Sequence, residues 1–299
     1  MMGMAPVADE AEKLLALLAE GEREWRNPGK LTLAHYTRCD AVKAIVTEGD
    51  GLKAHRSDLP ADPGEGTTTA AGQKLVEALE EQDHSSWVYR KFRHAYLTCF
   101  VGGEENDPEL QGVDIEDDLL FWRLYGDNCT GASIKLPESM VRRVEGMHTF
   151  GAVTYRSTTD ANKASRGGRS GGIVSTLTRL HEEHTSTGDW DGIYKKVGQA
   201  VERYMAQRFL EKHAHYRAER EYRLVVFPDP SSKGSPDDEW TIWEGGSSEE
   251  LNVTGTIVTF GCRAVEYPVL EHEVKKELGE GSGGRCAIKF QESNVKYRP

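Results

Sequence analysis

The stretch Glu219-Arg220-Glu221-Tyr222-Arg223-Leu224-Val225-Val226-Phe227 joins alternating charges to a β-prone apolar run. The apolar run predicts a buried strand over Glu221–Phe227. Successive side chains of a strand point to opposite faces, so Glu219, Glu221 and Arg223 are predicted to share one face. Burying charge is costly unless it is paired. The pattern therefore indicates either a functional site or a ladder of surface ion pairs, each of which contributes little stability.

The stretch Leu119-Leu120-Phe121-Trp122-Arg123-Leu124-Tyr125-Gly126 predicts a helix that carries two aromatic residues to its end and stops at the glycine. Trp122 and Tyr125 are three residues apart and would share one helical face. Core packing is the simpler interpretation for Trp122. Tyr125 is followed by Gly126-Asp127-Asn128, so its ring is expected to reach a cleft.

A third polar motif, His35-Tyr36-Thr37, ends a predicted strand over Leu31–Thr37. An imidazole and a phenol at a strand end can hydrogen-bond the hydroxyl groups of a ligand and stack on its base. The alternative is structural: Thr37 would cap the next helix, with Asp40 as an acid in its first turn.

Composition limits the functional classes. With 299 residues, 37% hydrophobic and 29% charged, the chain is expected to be soluble and globular. Its formal net charge of -12 argues against sequence-independent duplex binding, which needs a clustered basic surface. We expect no membrane segment, since no apolar run approaches the length of a span. The acidic N-terminus does not resemble a signal peptide, so the expected location is cytoplasmic.

The cysteines and histidines predict no metal site. The five cysteines are far apart and form no Cys-x-x-Cys pair, which favours reduced thiols over a disulfide framework or a zinc site. The sequence His181-Glu182-Glu183-His184 is one residue shorter than the zincin motif and spaces its histidines at i and i+3.

The predicted elements favour an α+β fold over a doubly wound sheet, because strands and helices alternate irregularly. Residues 1–29 are expected to form an N-terminal helix, and residues 30–299 a single α+β domain with a helical insertion around 173–215. The predicted strands are Leu31–Thr37, Ala95–Val101, Gly131–Leu136, Gly151–Arg156, Glu221–Phe227, Thr241–Trp243, Gly255–Phe260 and Cys286–Phe290. The predicted helices include 8–26, 40–48, 72–81, one from Asp191 to about His215, and 265–278, while 55–70 and 102–114 are predicted loops.

An ordered set of short motifs resembles a bacterial domain family of unknown function that occurs on mobile elements and in phage-defence neighbourhoods. The resemblance covers roughly residues 30–299. The motifs are His35-Tyr36-Thr37, Asp62-Pro63-x-Glu65, Tyr96-Leu97-Thr98-Cys99-Phe100, Leu120–Gly126 with Gly131, Glu219-x-Glu221-Tyr222-Arg223, Ile257-Val258-x-Phe260-Gly261 and Ile288-Lys289 through Tyr297-Arg298. That family is similar in turn to ADP-ribosyltransferases, which bind NAD in the cleft of a split, mostly antiparallel sheet with peripheral helices.

The resemblance implies roles for individual residues. Glu221 would hold the nicotinamide ribose and stabilise its oxocarbenium-like transition state, while Glu219 would orient the acceptor or be dispensable. His35 would contact the adenosine ribose, and Tyr36 or Tyr125 would stack near the nicotinamide. The remaining implied NAD contacts are Thr37, Trp122 and, for the diphosphate, Arg223 or the cluster Arg90-Lys91-Arg93. NAD would be consumed as a substrate, without a metal.

Three functions follow as hypotheses. The first is an NAD-dependent ADP-ribosyltransferase-like toxin or antiphage defence effector, or an NAD glycohydrolase. It would modify a protein or nucleic acid and be controlled by an antitoxin or another defence-system partner. The second is a non-enzymatic nucleotide-binding sensor or interaction module. The third is a nucleic-acid-processing effector, which the net charge of -12 disfavours. A globular protein whose charged strand is only structural is the remaining alternative.

Overall fold

The computed structural model describes residues 4–19, 30–47, 52–57, 70–104, 115, 117–147, 149–156, 170–228, 239–241, 255–264, 267–278 and 287–295. The motifs Asp62-Pro63-x-Glu65 and Tyr297-Arg298 lie outside these residues, as does Cys286.

Helices and strands alternate irregularly along the described chain, and the predicted α+β class is confirmed. The helices are α1 Met4–Ala19, α2 Cys39–Val46, α3 Ala70–Glu80, α4 Trp87–Phe92, α5 Leu119–Leu124, α6 Glu138–Glu145, α7 Ser170–Thr185, α8 Trp190–Ala206 and α9 Tyr267–Glu277. The strands are β1 Leu31–Thr37, β2 Lys53–Arg56, β3 Tyr96–Glu104, β4 Ala132–Lys135, β5 Phe150–Ala152, β6 Thr154–Arg156, β7 Glu211–His213, β8 Glu221–Val226, β9 Glu239–Thr241, β10 Ile257–Phe260 and β11 Lys289–Glu292.

The main sheet has nine strands in the described residues and is mostly antiparallel. One path runs β11-β10-β4-β1-β3-β2-β9, and β8 joins it by pairing with β3 on one side and β5 on the other. The pair β10–β11 is parallel, and β6 and β7 form a separate parallel pair. Strand β3 is therefore the centre, with β8 along one edge and two different strands along the other.

The sheet divides along that second edge of β3. Strand β1 pairs with the end of β3 up to the register Ala34↔Val101, and β2 pairs with its beginning at Tyr96 and Leu97. Beyond Ala34, β1 continues along β4 instead. Strands β1 and β3 thus separate next to Cys99. The His35 ring of β1 still contacts β3 there, with 3.0 Å between its Nδ1 and the Cys99 carbonyl oxygen.

The second half of β8 is buried on both faces, which explains why the run from Leu224 onwards is unbroken in its apolar character. Val225 packs into a core made with the helices α1, α3, α7 and α8. Its neighbour Leu224 packs into a second core, against Phe100 and Phe150 on the opposite face. A segment covered on both faces gains burial from every residue, and so this part of the strand shows no alternation of apolar and polar residues.

Several element boundaries differ from the sequence prediction. The helix predicted from Asp191 to about His215 ends at Ala206, and a 3₁₀ turn over Gln207–Phe209 and strand β7 follow it. The predicted strand Gly151–Arg156 divides into β5 and β6, which belong to different sheets. Val153 between them donates its amide to the Glu221 carbonyl oxygen at 2.8 Å, so the division is made by a distant segment.

Other differences are smaller. Strand β2 occupies the beginning of the predicted 55–70 loop, and β3 extends to Glu104 into the predicted 102–114 loop. Helix α4 has no counterpart among the predicted elements, and Ser86 caps it by accepting from the Tyr89 amide. Of the predicted strand Thr241–Trp243, Thr241 ends β9 and the remainder lies outside the described residues.

Two glycine substitutions test the close approach of backbone segments. A Cβ at Gly131 would lie 2.3 Å from the Thr37 carbonyl oxygen, whereas a Cβ at Gly192 in α8 meets nothing within 4 Å. We expect Gly131→Ala to lower the free energy of unfolding by about 1–3 kcal/mol, because a backbone oxygen cannot move aside cheaply. Gly192→Ala should raise it by roughly 0.4–1 kcal/mol by restricting the unfolded chain. Urea denaturation of both variants measures the difference, and equal effects would contradict the described packing.

Candidate functional site

The centre of the candidate site is a buried ion pair at the start of β8. Glu221 and Arg223 are two residues apart in the strand, so their side chains lie on one face as predicted. Two nitrogens of the Arg223 guanidinium donate to the Glu221 carboxylate, Nε to Oε1 at 2.7 Å and Nη2 to Oε2 at 3.1 Å. Its Nη1 donates to the Phe209 carbonyl oxygen at 2.6 Å. The two residues are only 3% and 1% exposed, so the pair is internal.

Lys212 of β7 adds a second cation that sequence reasoning missed. Its Nζ lies 2.8 Å from Glu219 Oε2 and 2.7 Å from Glu221 Oε2, so the lysine bridges the two carboxylates. We call Lys212, Glu219, Glu221 and Arg223 the four-charge cluster, whose formal charges cancel. No local pattern marks Lys212, because β7 is three residues long and pairs with β6 far away in the chain.

Glu219 reaches the cluster by a different route from the one predicted. It ends a 3₁₀ turn over Ala214–Glu219 and lies outside β8, so the prediction that it shares the strand's face by alternation is wrong. Arg220 between the turn and the strand has a φ of +45°, a left-handed conformation that reverses the chain. Glu219 and Glu221 meet through Lys212 instead of through the period of the strand.

Tyr125, the residue directly after α5, lies beside this cluster, and the predicted cleft at its ring stays a prediction. Its hydroxyl hydrogen-bonds the Glu219 carboxylate. Burial raises the pKa of Tyr125, and the nearby Glu221 and Glu219 carboxylates raise it further. The phenol therefore stays protonated at any physiological pH and acts as a hydrogen-bond donor.

Cys99 connects the cluster to the opening between β1 and β3. It lies opposite Arg223 in the β3–β8 register, and its thiol hydrogen-bonds the Glu221 carboxylate. Its carbonyl oxygen contacts His35 Nδ1. Burial lowers the pKa of His35, a shift that the contact with Cys99 partly opposes, so the imidazole is neutral near pH 7. The sequence predicted His35 as a site residue but gave no role to Cys99.

Tyr155 of β6 contacts the backbone of Glu221 in the cluster. Its hydroxyl oxygen accepts from the Glu221 amide at 2.9 Å. Burial raises the pKa of Tyr155, so this phenol is also protonated at neutral pH. It was part of a predicted strand, but its contact with Glu221 depends on the separation of β6 from β5.

Tyr36 and Trp122 belong to a buried apolar cluster. The Tyr36 hydroxyl donates to the Ile115 carbonyl oxygen at 2.9 Å, and its ring meets Trp122 edge-on at 4.9 Å between centroids. Trp122 is 0% exposed, and its Nε1 donates to Asp117 at 2.8 Å. These contacts favour core packing for both residues, and their NAD contacts stay predictions.

The contacts described for Thr37 and for Lys91 of the basic cluster 90–93 are with residues outside the four-charge cluster. Thr37 pairs with Ala132, and the N-cap of α2 is Arg38 without a side-chain hydrogen bond, so the predicted Thr37 cap is wrong. Lys91 is 5% exposed and binds the Phe227 carbonyl oxygen and Glu202, at the far end of β8. The predicted diphosphate contacts of residues 90–93 and Arg223 remain predictions.

Burial and ion pairing act in opposite directions on Glu221. Burial alone would raise the pKa of this carboxyl, but Arg223, Lys212 and the Cys99 thiol favour the carboxylate, and the pKa of Glu221 is lowered overall. Glu221 is therefore ionised at neutral pH. An ionised, rigidly held carboxylate can stabilise a cation that develops next to it.

No protein-family model matches the sequence, and neither a curated protein nor a solved structure shows a significant match. In the described part of the chain, no group of three or more His, Cys, Asp or Glu side chains is placed to hold a metal ion. Across the same residues, none of the helices combines the length and apolar character needed to cross a bilayer.

The lowered pKa of Glu221 predicts a pH-dependent contribution to stability. A depressed carboxyl pKa stabilises the fold above the unfolded value, near 4.5, and this stabilisation is lost as the pH falls through the folded value. We expect Glu221→Gln to lower the free energy of unfolding by about 3–5 kcal/mol at pH 7, because the buried cations lose the negative charge that pairs with them. The difference from wild type should shrink between pH 5 and pH 3, measured by urea denaturation.

The matched control is Glu138→Gln, which removes the exposed Glu138–Arg142 pair on α6. Solvent screens that pair, so this variant should match wild type throughout the pH range. A Glu221→Gln difference that stays constant from pH 7 to pH 3 would show that the ion pair is not the source of the effect.

Proposed function

We propose that this chain is an NAD-consuming, ADP-ribosyltransferase-like enzyme whose site is the four-charge cluster and the opening beside it. The observation that carries the proposal is that Tyr125, about a hundred residues earlier in the chain, lies beside the neighbouring carboxylates Glu219 and Glu221, which Lys212 bridges. The cluster adjoins the place where β1 and β3 separate and where His35 lies. A divided, mostly antiparallel sheet with these residues beside its opening supports the resemblance given by the motifs.

The chemistry needs a carboxylate beside the reacting ribose. Breaking the bond between ribose and nicotinamide builds positive charge on the sugar, and a fixed negative charge in a water-poor cleft stabilises it more than water does. Glu221 is held ionised by Arg223 and Lys212. Glu219, with 11% of its side chain exposed against 3% for Glu221, is the carboxylate more open to an incoming acceptor.

The two cations differ in how easily they can respond to a substrate. Arg223 is 1% exposed and fixed by three hydrogen bonds, whereas 12% of the Lys212 side chain is exposed. In this proposal, the diphosphate of NAD attracts the Lys212 ammonium away from the carboxylates. That movement would leave Glu219 and Glu221 facing the nicotinamide ribose at the time when positive charge develops there.

The direct test is NAD cleavage by the purified protein, read as free nicotinamide. Glu221→Gln should lower turnover by roughly 10²–10³-fold, because the amide keeps the shape of the side chain but loses the charge. Glu138→Gln is the control and should turn over NAD at the wild-type rate. Circular dichroism and denaturation confirm that each variant is folded. Wild-type turnover by a folded Glu221→Gln variant would overturn the proposal.

The acceptor is tested by incubation with labelled NAD and cell lysate. A transferase leaves ADP-ribose on protein or nucleic acid, whereas a glycohydrolase releases it free. Glu219→Gln should keep nicotinamide release but lose most of the transferred label, since Glu219 is proposed to orient the acceptor. A toxin or defence effector of this kind is expected in the cytoplasm and under the control of an antitoxin or another defence partner.

A second candidate function, a nucleotide-binding sensor without turnover, is favoured by one observation. Both Glu221 oxygens are already bonded to cations inside the fold, which leaves less negative charge for a reacting ribose. In that case calorimetry would detect NAD binding, and the NAD would be recovered unchanged after long incubation with folded wild-type protein.

A further inference from the structure

The turn that follows Tyr125 has an unusual backbone. Three consecutive non-glycine residues, Asp127, Asn128 and Cys129, have positive φ angles of 46°, 54° and 70°. Left-handed conformations are costly for residues other than glycine, asparagine and aspartate, so Cys129 is the strained member. Thr130 holds the turn closed, because both its amide and its hydroxyl donate to the Asp127 carbonyl oxygen.

The segment Gly261–Arg263, directly after β10, lies against this turn. The Gly261 amide donates to the Gly131 carbonyl oxygen, and the Arg263 amide donates to the Cys129 carbonyl oxygen, both at 2.9 Å. Any side chain at Gly261 would collide with the Cys129 backbone, since its Cβ would lie 2.3 Å from the Cys129 oxygen. Cys262 is therefore anchored on both sides to the turn that carries Cys129.

Two thiols meet at this contact with opposite exposures. Cys129 is 0% exposed, Cys262 is exposed, and the two side chains are within hydrogen-bonding reach of each other. Cys39, on the other side of the turn, directs its thiol to the Thr130 carbonyl oxygen at 3.1 Å. In such a pair the accessible thiol reacts with an oxidant to give a sulfenic acid, and the buried thiol then condenses with that sulfenic acid to form a disulfide.

We propose that Cys129 and Cys262 are a redox modification site, which a peroxide converts to a reversible disulfide. The Cys262 sulfur attacks the peroxide oxygen and becomes a sulfenic acid with loss of water. The Cys129 sulfur then displaces the hydroxyl group, forming the S–S bond and a second water. In balance, two thiols and one hydrogen peroxide give one disulfide and two waters, and a dithiol reverses the reaction by exchange.

The order of the two steps agrees with the surroundings of Cys129. Burial raises the pKa of its thiol to about 11, and Cys262 raises it further, while Arg123 and Arg263 act in the opposite direction. Cys129 therefore stays protonated and shielded at neutral pH, and thiolates are the form that attacks peroxide. The exposed Cys262 is the first sulfur to react.

The disulfide would fix the turn directly after Tyr125, the residue whose hydroxyl binds Glu219. Oxidation would thus bond the end of β10 to the turn that positions this phenol. An effect on NAD turnover rests on the proposed function, whereas formation of the disulfide does not. The two claims can therefore fail separately.

The test is titration of the 299-residue protein with hydrogen peroxide, followed by alkylation and peptide mapping without reductant. We expect a cross-linked pair of peptides containing Cys129 and Cys262, which dithiothreitol separates. Cys262→Ser should abolish this pair, and Cys39→Ser, the matched control, should retain it. Cys262 is exposed, so its variant should remain folded even if a substitution at buried Cys129 does not. A Cys262 oxidised only to sulfinic acid, or linked to another cysteine, would overturn the proposal.

The functional consequence has its own measurement. If NAD is turned over, oxidation should change the rate in wild type by several-fold and leave the rate of Cys262→Ser unchanged. A disulfide that forms without any NAD turnover in the reduced protein would refute the proposed function and keep the redox site.

Discussion

The bidentate pair between Arg223 and Glu221 is the interaction on which the rest of the site depends. Arg223 also holds the Phe209 carbonyl oxygen, which fixes the 3₁₀ turn that leads into β7 and so brings Lys212 to the carboxylates. Breaking a buried pair of this kind costs about 3–5 kcal/mol, because the remaining charge has no solvent to compensate it. A pair so costly to disrupt is a rigid reference point, and the more exposed Glu219 and Lys212 are arranged around it.

The position of this pair follows from the division of the sheet. Strand β3 bonds to β8 along Tyr96–Val101, but its other edge is shared between β1 and β2. A backbone edge left without a strand needs other partners, since buried carbonyl groups without hydrogen bonds are costly. His35 contacts the Cys99 carbonyl oxygen at that place, so one residue both satisfies the edge and lies at the opening. A structural requirement and a proposed functional role thus coincide at His35.

Backbone strain is concentrated next to the same site. The left-handed residues Asp127–Cys129 follow Tyr125 closely in the chain. The left-handed residue Arg220 directly precedes Glu221. Positive φ at non-glycine residues persists where the surrounding structure over-determines it, and such residues cluster at functional sites. Here the determining contacts are the close approaches of Gly131 to Thr37 and of Gly261 to Cys129, where a Cβ has no space. These approaches also place Cys262 against Cys129.

The α+β class, the strand β1 with its exact bounds, the strand β8 and the shared face of Glu221 and Arg223 follow from the sequence alone. Local periodicity carries that information, because alternation and burial depend on neighbouring residues. Three features depend on the tertiary structure: Lys212 lies between the carboxylates, the Cys99 thiol contacts Glu221, and Gly151–Arg156 divides into two strands. Each of these depends on contacts between residues far apart in the chain, such as the hydrogen bond from the Val153 amide to the Glu221 carbonyl oxygen. A local sequence pattern does not specify which distant segment supplies the partner.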